Sequence, residues 1–169
     1  MKKTSITAMT RILKGNSNPY GKEGFYFTDT VTGKMGVTDS FCAIMYDGEP
    51  EFEIDADFKH REANVTRLFE PFNNEFHEWY SDERTENISV KEIIELNKAA
   101  KKRRSEDDHW YYAKNFDVNF NINLMRDVCE ALDCKTVGIY YPYRPAGTNV
   151  YKPIVIIGEK GMGLVMPIR

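Results

Sequence analysis

The pattern that most restricts this chain lies between residues 115 and 169. NFDVNFN (115–121) alternates, with Phe116, Val118 and Phe120 on one side, and reads as a strand with one buried face. Asn121 then stands where a helix cap belongs, because its side-chain oxygen accepts the unpaired N–H groups of a first turn. Met125, Val128, Cys129 and Leu132 recur at helical spacing and predict a buried stripe on a helix from Ile122 to Leu132. TVGIYY (136–141), KPIVIIG (152–158) and GLVMPIR (163–169) are three further apolar runs of strand length. Pro142, Pro145 and Gly147 punctuate one connection; Gly158, Gly161 and Gly163 punctuate the other. A strand, a helix and three strands in this order bury the helix stripe by laying it across the sheet.

The first third carries a partner pattern. A helix is predicted from Thr4 or Ser5, with Ile6, Met9, Ile12 and Leu13 on one face and Gly15 at its end. GFYFTDT (24–30) and KMGVTDSFCAIMYDG (34–48) predict two strands joined by a turn at 31–33, and EFEID (51–55) alternates like a third. Residues 56–88 are charged and aromatic without clean periodicity, which predicts loops and short elements. SVKEIIELNKAAKKRR (89–104) is a helix: Ser89 and Glu92 form a capping box, and Val90, Ile93, Ile94 and Asn97 share a face. SEDDH (105–109) breaks it. The expected architecture is one α+β domain in which antiparallel sheets carry two helices on one face. Its half-units are residues 4–55 and 115–169, and the helix at 89–104 sits in an insertion at 56–114.

Chemistry-bearing motifs are sparse. The net charge of −3 gives no overall basic field of the kind that marks a nucleic-acid binder. KAAKKRR (98–104) is the one dense basic run, with Lys98, Lys101, Lys102, Arg103 and Arg104. It suits phosphate contact, and equally a solvated helix end favoured by the dipole and followed by Glu106, Asp107 and Asp108. Cys42, Cys129 and Cys134 form no CxxC pair, so reduced thiols and a cytoplasmic location are expected. The N-terminal stretch has neither a long apolar run nor a cleavage site, so no signal peptide and no membrane association are expected. His60, His77 and His109 are isolated, Asp39 sits in a Thr-Asp turn pair, Cys42 lies in an apolar strand, and GMG (161–163) lacks a following helix. With no triad, metal set or cofactor box, a non-catalytic protein without cofactor or metal is expected.

INLMRDVCEAL resembles the helix "YLLDVLxAL" of the bacterial sliding clamp, the β subunit of DNA polymerase III. PIVII is similar to that family's "P-V-x-I" strand, and VMPIR to its "VMPMR" tail. GKMGVTDSFCAIM resembles "L-x-x-x-A-T-D-G-x-R-L-A" at Val37, Thr38 and Asp39. Ser40 replaces the usual glycine there, Phe41 and Cys42 replace a polar residue and an arginine, and Ala43 stands where leucine is common. NVTRLFEPF (64–72) is similar to "FPDVxRLxP" at Val65, Arg67 and Leu68. The resemblance covers 115–169 and, through the second motif, 22–48.

The resemblance implies a non-catalytic clamp-like domain for DNA replication, either a processivity factor or a decoy that occupies clamp-binding motifs. It implies a shallow apolar groove that takes peptide motifs of DNA polymerases and other replication proteins. Leu164, Met166, Pro167, Ile168 and Arg169 would form one wall and Thr38, Ser40, Phe41 and Ala43 another. Methionine repacks around varied partners, and proline ends strand pairing beside the groove. It also implies helices facing double-stranded DNA, offering Arg11, Lys14 and Arg126 besides the 98–104 run. The family's subunit has three such domains and forms a six-domain ring; this chain has length for one, so a ring would be a homo-oligomer of six copies. Two other readings are a clamp-derived structural or regulatory module without a groove, and a direct DNA binder using 98–104.

Overall fold

The computed structural model describes residues 2–18, 20–48, 53, 55–69, 85–103, 110–113, 118–141 and 153–168. In chain order these form α1 (Lys3–Leu13), β1 (Phe25–Asp29), β2 (Met35–Thr38), β3 (Cys42–Tyr46), β4 (His60–Ala63) and a single turn α2 (Thr66–Phe69). Next come β5 (Thr85–Ser89), α3 (Val90–Arg103), β6 (Trp110–Ala113), β7 (Val118–Asn121) and α4 (Ile122–Ala131). The chain closes with β8 (Thr136–Tyr140), β9 (Ile154–Gly158), β10 (Gly161–Val165) and β11 (Pro167–Ile168). The protein is a mixed α+β fold. One sheet has eight strands in the order β4-β1-β2-β3-β10-β9-β8-β5, and a smaller one runs β11-β7-β6.

The helix–three-strand order occurs twice, as α1–β1–β2–β3 and α4–β8–β9–β10. The two copies meet where β3 pairs antiparallel with β10, centred on Ile44 opposite Gly163. Alternation sorts the side chains of β3. Cys42, Ile44 and Tyr46 join the core beneath α1, α3 and α4. Ala43 and Met45 point the other way, into a second cluster with Phe27, Val155 and Leu164, which Val65 and Phe69 of α2 join. Buried on both faces, β3 reads as a continuous apolar run.

Local chemistry explains the boundaries. The Asn121 side chain accepts from the Asn123 and Leu124 N–H groups and opens α4. At α3 the capping box forms: Ser89 N–H donates to Glu92 at 2.8 Å and Glu92 N–H donates to Ser89 Oγ at 3.2 Å. The 31–33 turn forms around Asp29, whose carboxylate accepts from Val31 and Thr32 N–H, and Gly33 takes φ +71.

Several expectations are corrected. α1 starts at Lys3 with no side-chain cap; Ser5 is buried within it, and Ile6, assigned to the buried face, is 45% exposed. The run 34–48 is two strands, because a turn at Asp39–Phe41 reverses the chain between β2 and β3. The run 163–169 is likewise split: β10 ends at Val165 and the chain crosses to pair with β7 as β11. The sheets are not wholly antiparallel, since β4 pairs parallel to β1. The helix of the insertion joins the same layer as the other two, with Val90 and Ile93 in the shared core, so three helices cover that face rather than two. The expected strand at 51–55 lies largely outside the described residues, as does the 105–109 break. No helix among the described residues is long and apolar enough to cross a membrane.

Candidate functional site

The turn between β2 and β3 is built on Asp39. Its buried carboxylate accepts from Phe41 N–H at 2.9 Å and Cys42 N–H at 2.8 Å. Asn18, in the loop after α1, donates to the Asp39 carbonyl at 3.0 Å and reaches its carboxylate at 3.4 Å. The Asn18 carbonyl oxygen accepts in turn from Tyr20 N–H at 2.8 Å. Burial raises the Asp39 carboxyl above its ordinary range despite these bonds. Ser40 adopts φ +75, the left-handed conformation that glycine takes most readily. The result is a half-buried Phe41 that packs against the edge of the helix-side core, with the Tyr20 ring 5.3 Å away and tilted by 40°.

The tail reaches the same place. Leu164 is opposite Ala43 and Val165 opposite Cys42 in the β10–β3 register, and Met166 N–H then donates to Phe41 O at 2.8 Å. Met166 is 38% exposed and Tyr20 is 74% exposed, so residues from three separate segments leave apolar surface in water around Phe41. Pro167 is half-buried and lies opposite Phe120 of β7, and the backbone of Ile168 lies opposite Asn119. Ser40 is exposed and Thr38 is half-buried, its hydroxyl donating to Cys42 O at 2.7 Å.

Two of the expected wall residues are corrected. Leu164 and Ala43 are core side chains, buried in the cluster beneath Phe69, because both point to the sheet face away from the helices. They offer no surface to a partner in this structure. Arg169 lies outside the described residues. Tyr20 was not singled out by the sequence: one aromatic in a polar, glycine-bounded loop carries no periodic signal.

The helical face is organised by Asp127, which is fully buried. It accepts from Arg11 Nε at 2.7 Å, from Ser17 Oγ at 2.5 Å and from Arg126 Nε at 2.9 Å. Arg11 also pairs with Glu130, and Arg126 donates to Asn97 at 2.9 Å; Asn97 donates onward to Asn123. One polar chain therefore runs from α3 through α4 to α1. It corrects the expectation for Arg11 and Arg126. Both are committed to structural carboxylates, with side chains largely withdrawn from solvent, rather than presented to phosphate. Lys14, Lys98, Lys101 and Lys102 are exposed; Arg104 lies outside the described residues, and of Arg103 only the backbone is described. Burial, with repulsion from Arg126, lowers the Lys101 ammonium below its ordinary range, which places Lys101 beside this network. By sequence, the residues of α1, α3 and α4 include eight Lys or Arg against four Asp or Glu, although the whole chain is net −3.

His60 sits on β4 with its ring nitrogen 2.9 Å from Thr28 Oγ1, and His77 and His109 lie outside the described residues. Burial holds the Cys42 thiol well above its ordinary range, so it is a packed, protonated group. Among the described residues no three His, Cys, Asp or Glu side chains group as metal ligands would. No protein-family model, curated protein or solved structure matches the chain.

Proposed function

We propose that this chain is a non-catalytic, clamp-like protein that docks peptide motifs of replication proteins on the apolar ledge around Phe41 and Met166. The observation that carries the reading is the Met166 N–H to Phe41 O bond of 2.8 Å. The two sequence motifs that resemble the sliding clamp, the 38–43 turn and the 164–168 tail, are far apart in sequence and adjacent in space. Further support comes from Ser40: where the family has glycine, this chain holds a left-handed backbone, the conformation that makes glycine useful there. The twofold helix–three-strand repeat, with helices layered on one side of the joined sheet, also supports the reading, since the resemblance implies helices on one face of the sheets.

An extended partner would bury apolar side chains against Phe41, Met166 and Pro167, gaining roughly 25 cal/mol per Å² before ordering costs. Titration of a fluorescein-labelled clamp-binding peptide from a bacterial replicative polymerase tests this. Binding by the protein, weakened in Met166→Ala plus Pro167→Ala, is expected; no binding at high micromolar peptide would remove the groove.

The cation excess on the three helices favours a second role for the helix layer. Lys14, Lys98, Lys101 and Lys102 would contact duplex phosphates without reading sequence, with Arg11 and Arg126 holding the helices in place. Encircling DNA requires several copies, so sedimentation distinguishes a ring-forming processivity factor from a monomeric decoy.

A further inference from the structure

We propose that Tyr20 is a third wall of the docking ledge and that Asn18 is the positioning residue that holds it there. The proposal rests on the peptide-docking reading above and assigns to it two residues that no part of the clamp resemblance includes. Tyr20 follows α1 in a loop that leaves its ring largely in water, and the ring packs on Phe41 with the centroids 5.3 Å apart. The cause is the Asn18 amide. Its nitrogen donates to the Asp39 carbonyl, on the turn that projects Phe41, and its oxygen accepts the N–H of Tyr20 itself. One buried side chain thus ties the two segments carrying the two rings.

An exposed tyrosine held in a fixed orientation loses little entropy when a partner covers it, and its face suits an aromatic or branched apolar side chain. The occupant is the extended apolar peptide already argued for, with one such side chain lying on the exposed surface of the contacting Tyr20–Phe41 ring pair. The hydroxyl is not needed for this contact, so the ring alone carries the effect.

The test uses the whole chain and the same labelled polymerase peptide. Tyr20→Ala is expected to weaken binding about tenfold and Tyr20→Phe to leave it within about twofold. Because Tyr20 is so exposed, neither change threatens folding. Asn18→Ala, which also releases the Asp39 turn, is expected to weaken binding at least as much as Tyr20→Ala and to abolish the nuclear Overhauser contact between the Tyr20 and Phe41 rings. Full affinity in Tyr20→Ala, or a ring contact that survives Asn18→Ala, would overturn the assignment while leaving the docking reading intact. Failure of the unaltered protein to bind the peptide would remove both.

Discussion

The two halves of the molecule, α1 to β3 and α4 to β10, have the same order of elements and opposite styles of construction. α4 opens on Asn121, a fully used cap, whereas α1 opens on Lys2 with no side-chain cap. Both helices end in a residue with left-handed backbone, Gly15 in the first half and Asp133 in the second, at φ +66 and +54. From there the halves diverge. Gly15 leads into a loop that runs to residue 24 and carries Asn18 and Tyr20, while Asp133 leads into β8 within three residues. The β9–β10 hairpin turns tightly at 159–160; the β2–β3 turn is built around buried Asp39 and leaves Phe41 half-buried at the rim of the core. At the centre, Ile44 fills the helix side of β3, and Gly163 opposite it lets Val128 of α4 approach where a Cβ would lie 2.3 Å from its methyl. Among the described residues, the second half is a closely packed scaffold, and the first half carries the irregular turns on which the candidate ledge is built.

The comparison is broken most severely at the seam between the halves. Asp127→Ala leaves Arg11 and Arg126 without their shared buried partner, and an expected loss of about 3–5 kcal/mol in urea unfolding follows. A loss under about 1 kcal/mol would mean that the seam is solvated and contributes as a surface pair does. Gly163→Ala forces a methyl against Val128 and is expected to cost about 1–3 kcal/mol, showing as a lowered midpoint with an unchanged slope. Asn121→Ala is expected to cost about 1 kcal/mol, and no cap exists on Lys2 to lose.

The smallest effects are pH-dependent. Burial works against ionised Asp133, but its hydrogen bond and attraction to Lys2 outweigh it, and the carboxyl is held below its ordinary range. A depressed carboxyl contributes stability that is complete above its unfolded pKa, about 3.9, and is lost as pH falls through the lower folded value. Asp133→Asn keeps a residue that tolerates left-handed backbone and removes the titration, so the acid limb of the stability profile should flatten. The Glu92 carboxyl is similarly lowered by its bonds from the Ser89 hydroxyl and N–H, and Ser89→Ala, which removes only the hydroxyl bond, should raise it part of the way toward the ordinary range in an NMR titration.

The legible parts of the fold were those where one residue and its near neighbours decide the outcome. Asn121 and the Ser89–Glu92 box act within a single turn, and the alternation in β7 and the apolar runs of β8 and β9 follow from burying one face or both. The unread parts depend on distant partners. The break at Asp39–Phe41 has no glycine or proline to announce it; it exists because Asp39 satisfies two backbone N–H groups and Asn18 holds the turn from another loop. A charged residue between apolar helix positions reads as solvated, yet Asp127 is buried because Arg11 and Ser17 come to it from α1 and the loop beyond. β4 pairs through its backbone and carries mostly exposed polar side chains, so no apolar pattern marks it. For the candidate ledge, Phe41, Met166 and Pro167 keep partial or greater exposure, Leu164 and Ala43 were assigned to the wrong face of the sheet, and Tyr20 carried no sequence signal.

Residue-resolved NMR during titration of the unlabelled polymerase peptide tests the central claim most directly, with the Met166 methyl and the Phe41 and Tyr20 rings as reporters. Saturable shifts confined to these groups and to the neighbouring Thr38–Cys42 backbone are predicted. A titration that leaves them unmoved, or moves only residues on α1, α3 and α4, would contradict it.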